Sequence, residues 1–495
     1  MSAPKKFEHW GALPVYSRRA MVATADRRAT EAGVAVLREG GNVIDAAVAA
    51  AFALCVTQPG MCGLGGGGHL VAHVNGQSLC LDFREQAPAA AHRDLFAGMP
   101  AEASRIGPWA AATPGTVKGL AEAHRRAGSL PWARLLAPAV ALAAEGHAVT
   151  WLRSRMLAAC AALYRDPESH RILLRGGRPF EAGEILRQPE LAATLERIAR
   201  HGAAEFYEGE TAEKLAAGGG LIRKSDLASY TCAECRPLTG VYRGSEIRTM
   251  PPSSAGGRAL LEMLAALEGT PFAEDGPASA LFLHSVAEAA KKSFARRAGR
   301  GLAESACTTH LSVLDCEGNA AALTFTLNGM YGCGVTVPGL GFLLNNNMDN
   351  FAVRPGEPNQ YGLVEGEDNA IGPGKRPVSS MTPTLVCREG RPEAVLGTPG
   401  GPTIPTAVLQ ALLYMLEFGW NPQDAVNAPR VHHQWLPDVL YLERGFPAEV
   451  TRALESRGHR LEYRASNNDM NAIVWRDGWL QGAVDCRREG HAAGI

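Results

Sequence analysis

The 495-residue chain has no surplus of charge of either sign: 49 Lys+Arg stand against 50 Asp+Glu, a formal net charge of −1. Binding a run of phosphates draws on a basic excess, so neither nucleic acid nor an anionic membrane surface is expected as a partner. Long hydrophobic runs are also missing. The longest, AAVAAAFALCV at 46–56, falls short of the roughly 18 apolar residues that mark a spanning helix. The opening MSAPKKFEHW carries two lysines with no apolar segment behind them, so the expectation is a cytoplasmic protein without a secretory signal. The 11 cysteines are odd in number and scattered. They fit reduced thiols better than a disulfide framework.

Several chemical signatures are absent too. No G-x-S-x-G elbow supports a serine hydrolase of that type, and no H-E-x-x-H supports a zinc peptidase. Cys232 and Cys235 form a single C-x-x-C without a second pair at zinc spacing, which leaves two ordinary thiols. His432 and His433 are adjacent; on a strand they point to opposite faces, so they read as structural. GLGGGG at 63–68, with Asp82 beyond it, spells a dinucleotide fingerprint. The surroundings do not fit one, because a helical pattern precedes the glycines and a hairpin pattern follows. Close approach of the backbone to a neighbour or substrate accounts better for so many glycines.

What is present divides in two. Length alone suggests about three domains or one large layered assembly. Segment 28–60 reads as two helices broken at Gly40-Gly41, and 69–85 as a hairpin turning at Asn75-Gly76. From about 115 to 215 the pattern is helical, and further helices follow MPPSSAGGR and span 279–297. From Thr308 onward the text turns to strands: TTHLSVLD and AAALTFTLN around a turn at 316–319, then PTLVC and AVLGTPGG, the helix TAVLQALLYMLEFG, and a terminal strand pair near DVLYLE and NAIVW. The chain therefore reads as a mainly helical part, 1–307, and a strand-rich part, 308–495.

The remaining candidate nucleophile is Thr308, at the helix-to-strand switch. A threonine hydroxyl is a weak nucleophile unless the residue begins a chain, where its own α-amine can serve as base. That chemistry would need a cut between Cys307 and Thr308, which spacing by itself does not establish.

Eight motifs in order, GGNVIDAAVAAAFAL, CGLGGGGHL, LDFREQAP, TTHLSVLDCEGNAAALTFTLN, LLNNNMDNF, GPGKRPVSSMTPT, GTPGG and NAPRVHHQW, resemble the γ-glutamyltransferase (glutathione hydrolase) family of N-terminal-nucleophile hydrolases. The resemblance implies an α+β fold, a four-layer αββα sandwich, made as a proenzyme that cuts itself before Thr308. A large chain 1–307, mostly helical and contributing one sheet and Arg84, would stay with a small catalytic chain 308–495. It implies no metal and no organic cofactor. Its partners would be a γ-glutamyl substrate such as glutathione and water or an acceptor amino acid.

Residue by residue, the resemblance makes Thr308 the autoprocessing group and nucleophile, and Thr326 the hydroxyl that supports it. Arg84, Ser379 and Ser380 would hold the substrate α-carboxylate, and Gly400 and Gly401 would form the oxyanion hole. Asn328, Asn347 and Asn350 would lie around the substrate α-amino group, and Tyr361 would sit on a lid over 355–374. Two departures stand out. Relatives usually carry an acid where Asn350 stands, and the neutral amide opens an alternative: an amidohydrolase or acylase acting on oxamate-like half-amides or glutaryl amides. Asp349, one residue earlier, would point the other way on a strand. The stretch AGRGLAESAC (298–307) is also shorter than in relatives, which predicts a shorter large-chain tail.

Overall fold

The computed structural model describes residues 13–272, 275–297, 307–354, 356 and 366–495. The opening MSAPKKFEHW, residues 298–306 and Tyr361 with most of its loop lie outside the described residues.

Two seven-stranded sheets form the middle of the molecule. In the first, neighbours run Val15–Ser17, Trp479–Val484, Asn471–Arg476, Arg391–Gly397, Thr384–Arg388, Ser245–Thr249 and Leu238–Tyr242. In the second they run His491–Gly494, Ala20–Thr24, Cys307–Asp315, Ala320–Asn328, Gly67–Val74, Gln77–Phe83 and Ala233–Cys235. Every adjacent pair is antiparallel. Both sheets take strands from either side of position 307, so segment 1–307 supplies both sheets rather than one, and the two segments are interleaved.

Side-chain alternation along these strands sorts the core into layers. In the strand Cys307–Asp315, Leu311 and Val313 pack with the helices Arg27–Arg38, Val43–Thr57, Thr116–Ala127, Trp132–Glu145 and Pro189–His201. Leu314, on the opposite face, packs with Leu385, Val395, Ile473 and Leu480 of the other sheet. That sheet's outer face, through Ile247, Val386 and Leu396, is covered by Ala255–Leu267, Ala280–Arg297 and Thr403–Leu416. Helix, sheet, sheet, helix is the resulting order.

The helix Val43–Thr57 shows why the local sequence folds this way. Asn42 caps it, its side chain accepting from the Ile44 and Asp45 amides, while Asp45 accepts from the Asn42 amide. This is a capping box. All 15 helical residues are buried, and the alanines let neighbouring helices and the sheet close in on every side.

The glycines of GLGGGG lie where backbones nearly touch. A Cβ on Gly66 would stand 2.1 Å from the Thr326 carbonyl oxygen, and one on Gly68 2.4 Å from that of Thr324. No side chain fits there, and a phosphate loop is not formed: a strand, not a helix, follows.

Three readings of the sequence change. The strands Leu440–Leu442 and Asn471–Arg476 do not pair; the first joins a small three-stranded sheet and the second the first large sheet. The TPGG residues have left their strand, which ends at Gly397, and form the loop before helix Thr403–Leu416. Cys235 is not in a loop but on an edge strand, with its sulfur 3.3 Å from that of Cys80 across the ladder.

Candidate active site

Thr308 enters the second sheet at an irregularity. Across the ladder Cys307 faces Asn328 while Thr308 faces Thr326, so the register slips at the Cys307–Thr308 bond. Such a bulge re-aims a side chain and bends the strand locally. Thr308 is wholly buried, and its hydroxyl donates to Thr326 Oγ1 at 3.1 Å. The Thr326 hydroxyl in turn donates to the Cys307 carbonyl oxygen at 2.6 Å and accepts from the Asn328 amide at 2.8 Å. Asn328 holds the left-handed φ of 76° and donates through Nδ2 to the Asn346 carbonyl. The peptide carbonyl that a cut would attack is therefore already polarised by a fixed hydroxyl.

On the same face, two residues along, lies His310, which no motif argument singled out. Its Nδ1 meets Thr324 Oγ1 at 2.7 Å and its Nε2 meets Ser312 Oγ at 3.0 Å. Burial pushes its pKa down to about 3, so the ring is neutral at ordinary pH. A Cβ on Gly397 would lie 2.4 Å from this ring, which places the end of the strand Arg391–Gly397 directly against the Thr308 strand. The loop that follows carries Gly400 and Gly401, at φ of +135° and 61°. Any side chain on Gly400 would also meet Asn468 Nδ2 at 2.3 Å. The Gly400 carbonyl accepts from the Thr403 hydroxyl and the Gly401 carbonyl from the Ile404 amide, which ties the loop to a helix N-terminus whose dipole favours negative charge.

Arg84, fully buried, follows the strand Gln77–Phe83. Its Nη1 donates to Glu85 Oε2 at 3.0 Å, while Nε and Nη2 have no hydrogen-bond partner among the described residues. These two donors form one side of the guanidinium fork, the geometry that takes both oxygens of a carboxylate. Leaving two buried donors unmatched is costly, which points to an anion that binds there. Glu85 is buried as well, and desolvation, opposed by Arg84, lifts its pKa to about 7.

A chain of hydrogen bonds joins Arg84 to the serines. The Arg84 amide donates to Asp82 Oδ1, Ser253 Oγ donates to Asp82 Oδ2, and the Ser379 amide donates to the Ser253 carbonyl. The Ser379 hydroxyl accepts from the Met381 amide at 3.1 Å, and both Ser379 and Ser380 are buried. Asn369 continues the circuit: its Oδ1 accepts from the Val378 amide and its Nδ2 donates to the Asn350 carbonyl. Asn350 Nδ2 then donates to Asn347 Oδ1 at 2.5 Å. Arg84, Ser379, Ser380, Asn347 and Asn350 thus come together from three separate stretches of chain, with Ser253 supplying a link from a fourth.

Asn347–Asn350 is a 3-10 turn rather than a strand. With three residues per turn, Asn347 and Asn350 share one face. Asp349 is directed elsewhere, accepting from Ser104 Oγ at 2.6 Å, so it cannot stand in for the acid missing at 350. His432 and His433 hold structural bonds, to Thr406 and Gln434 and to Asp438. Tyr361 lies outside the described residues. Sequence reasoning gave no place in this site to Asp82, Glu85, Ser253, His310 or Asn369; Asp82, Glu85 and His310 lie inside the quoted motifs LDFREQAP and TTHLSVLD, which was a signal, whereas Ser253 and Asn369 had none.

A sandwich of two antiparallel sheets between helical layers, with a buried threonine opening a central strand, defines an N-terminal-nucleophile hydrolase. The gamma-glutamyltranspeptidase family model matches residues 29–301 and 301–495, and the chain belongs to that family. It is 40% identical to the glutathione hydrolase proenzyme of Escherichia coli (strain K12), covering 96% of this chain and 91% of that one. It is 36% identical to the Acylase ACY 1 proenzyme of Pseudomonas sp. (strain V22), covering 97% and 94%. The crystal structure of cephalosporin acylase from Bacillus halodurans superposes with a TM-score of 0.87 at 28% identity, covering 100% of this chain and 99% of that one.

Proposed function

We propose that the chain is the proenzyme of a γ-glutamyltransferase and glutathione hydrolase. The observation that carries this reading is the line Thr308 Oγ1, Thr326 Oγ1, Cys307 carbonyl oxygen. In maturation, Thr308 Oγ1 attacks the Cys307 carbonyl carbon, the C–N bond breaks with proton transfer to nitrogen, and water hydrolyses the resulting ester. Chains 1–307 and 308–495 result, and Thr308 gains a free α-amine.

That amine then takes the hydroxyl proton as Thr308 attacks the γ-amide of glutathione or a related compound. The Gly400 and Gly401 amides receive the developing oxyanion, a glycine task because the charge must approach bare backbone. The leaving amine takes the proton, and water or an acceptor amino acid resolves the γ-glutamyl ester. Arg84, with Ser379 and Ser380, grips the α-carboxylate, while Asn328, Asn347 and Asn350 surround the α-amine. A Thr308→Ala chain is expected to stay in one piece and to leave γ-glutamyl anilides intact. Two bands on a denaturing gel from that variant would overturn the proposal.

A second reading rests on Asn350. An uncharged side chain at the α-amino subsite discriminates less between γ-glutamyl and glutaryl amides, and the similarity to proteins named acylases accords with it. A glutaryl anilide cleaved faster than its γ-glutamyl counterpart would select this reading.

A further inference from the structure

Away from the active site, the helix Ala280–Arg297 packs on the helix Ala448–Ser456 and the turn that follows it. His284 and Glu288, four residues apart, lie on one face of the first helix. His459 comes from the turn after the second, anchored by its amide to the Leu454 carbonyl. His284 Nδ1 and His459 Nε2 stand 2.8 Å apart, with the rings inclined at 63°. One ligand atom from each of His284, Glu288 and His459 lies within 4.8 Å of the others, and this is the one such trio among the described residues.

We propose that His284, Glu288 and His459 form a binding site for a divalent transition metal of the zinc class, which clamps the helix Ala280–Arg297 to the turn at 457–460.

Two imidazoles and a carboxylate suit Zn2+ and its neighbours rather than Mg2+ or Ca2+, which favour all-oxygen shells. Bonds of about 2.0–2.1 Å in a tetrahedron set ligand atoms about 3.3 Å apart. The imidazole nitrogens need only separate slightly, and Glu288 swing inward, to reach that spacing. At 2.8 Å one of the two nitrogens donates to the other; on binding, the donor ring changes tautomer, its proton moving to the ring's other nitrogen, so that both facing nitrogens present lone pairs to the metal. Lys291, whose charge reaches His459, holds its Nζ on Asp438 Oδ1 at 2.5 Å, and His433 Nε2 meets the same oxygen at 3.1 Å. Three protein ligands leave a fourth position for water.

The placement gives the site a consequence. The helix Ala280–Arg297 is the last described element before Thr308, whereas His459 lies well after it. In a chain cut before Thr308 the metal would join the two products. The metal site itself does not depend on the catalytic reading.

The test uses the full chain stripped with chelator, titrated with ZnCl2 by calorimetry and with CoCl2 by visible absorption. One Zn2+ per chain, a low-coordinate cobalt spectrum and a raised melting temperature are expected. His459→Gln and Glu288→Gln, on separate elements, should each weaken Zn2+ binding by more than the about 10-fold to 100-fold that loss of a ligand's hydrogen-bond partner costs. Their metal-free melting temperatures and γ-glutamyl anilide hydrolysis should match the parent. No Zn2+ uptake by the parent chain, or uptake that neither substitution alters, overturns the proposal whatever the enzyme's activity.

Discussion

The hydroxyl of Thr326 donates to the Cys307 carbonyl at 2.6 Å while receiving the hydroxyl of Thr308 at 3.1 Å. One side chain thus orients the attacking oxygen and polarises the carbon it would attack. Thr326→Val keeps the shape and β-branching but removes both roles. Chain cleavage, followed on denaturing gels over time, should slow by about 100-fold or more, the loss typical of removing one oxyanion-type donor. Thr326→Ser should cleave at close to the parent rate.

Arg84 offers Nε and Nη2 as a pair from a fully buried position. Arg84→Lys retains the charge and replaces the fork with a point donor. The expected result is a fall in kcat/KM for γ-glutamyl anilide of about 100-fold, mostly in KM, since a charge-assisted bond contributes about 1.5–3 kcal/mol. An unchanged KM would remove Arg84 from carboxylate binding.

Glu85 supplies a pH dependence. Its pKa, lifted to about 7 by burial, means that it is neutral in acid and ionises as pH rises through neutrality. Once ionised, it competes with the substrate carboxylate for the Arg84 guanidinium, 3.0 Å from its Oε2. KM should therefore rise with pH around neutrality. Glu85→Gln, neutral throughout, should flatten the KM profile while leaving in kcat any titration of the Thr308 α-amine. A KM profile identical to the parent would refute this role.

Much of the fold was legible because it rests on local signals. The helix break at Gly40-Gly41, the turn at Asn75-Gly76 and the alternation of 308–328 each declare themselves within a few residues. The glycine run was legible as close approach, but the partners it approaches, Thr324 and Thr326, lie some 260 residues away in the chain. Strand pairing near the C-terminus was not legible, since short apolar runs carry no record of which sheet accepts them. The same holds for the site. Motif residues could be named one at a time, whereas the circuit through Asp82, Ser253 and Asn369 exists only once four stretches of chain have met.

Gly400 is a position where sequence and geometry agree on one residue type. With φ of +135° and Asn468 Nδ2 2.3 Å from the place of a Cβ, Gly400→Ala is doubly strained. Relief requires the loop to move, taking with it the amides proposed for the oxyanion hole. A kcat loss of about 100-fold or more is expected, with KM little altered because the Arg84 subsite lies on other strands. A KM change alone would show that the loop serves binding instead.

Under the proposed function, Asn350 is the residue that sets which substrates the Arg84 pocket accepts. Its Oδ1 is buried and has no hydrogen-bond partner among the described residues, while its Nδ2 is spent on Asn347. A substrate ammonium would find there one neutral acceptor. Asn350→Asp offers it a charge, a gain of about 1–3 kcal/mol. The same change removes the Nδ2 donor to Asn347 Oδ1, so Asn347 must turn its amide nitrogen toward residue 350, and with Glu85 two carboxylates then share a dry pocket. Without substrate that repulsion raises both pKa values and lowers the melting temperature. With a γ-glutamyl substrate the ammonium neutralises it, and KM for the γ-glutamyl anilide should fall by about 10-fold. A glutaryl anilide brings no ammonium, leaves the repulsion in place, and should be cleaved more slowly than by the parent. Equal changes for both substrates would mean that residue 350 never faces the α-amino group.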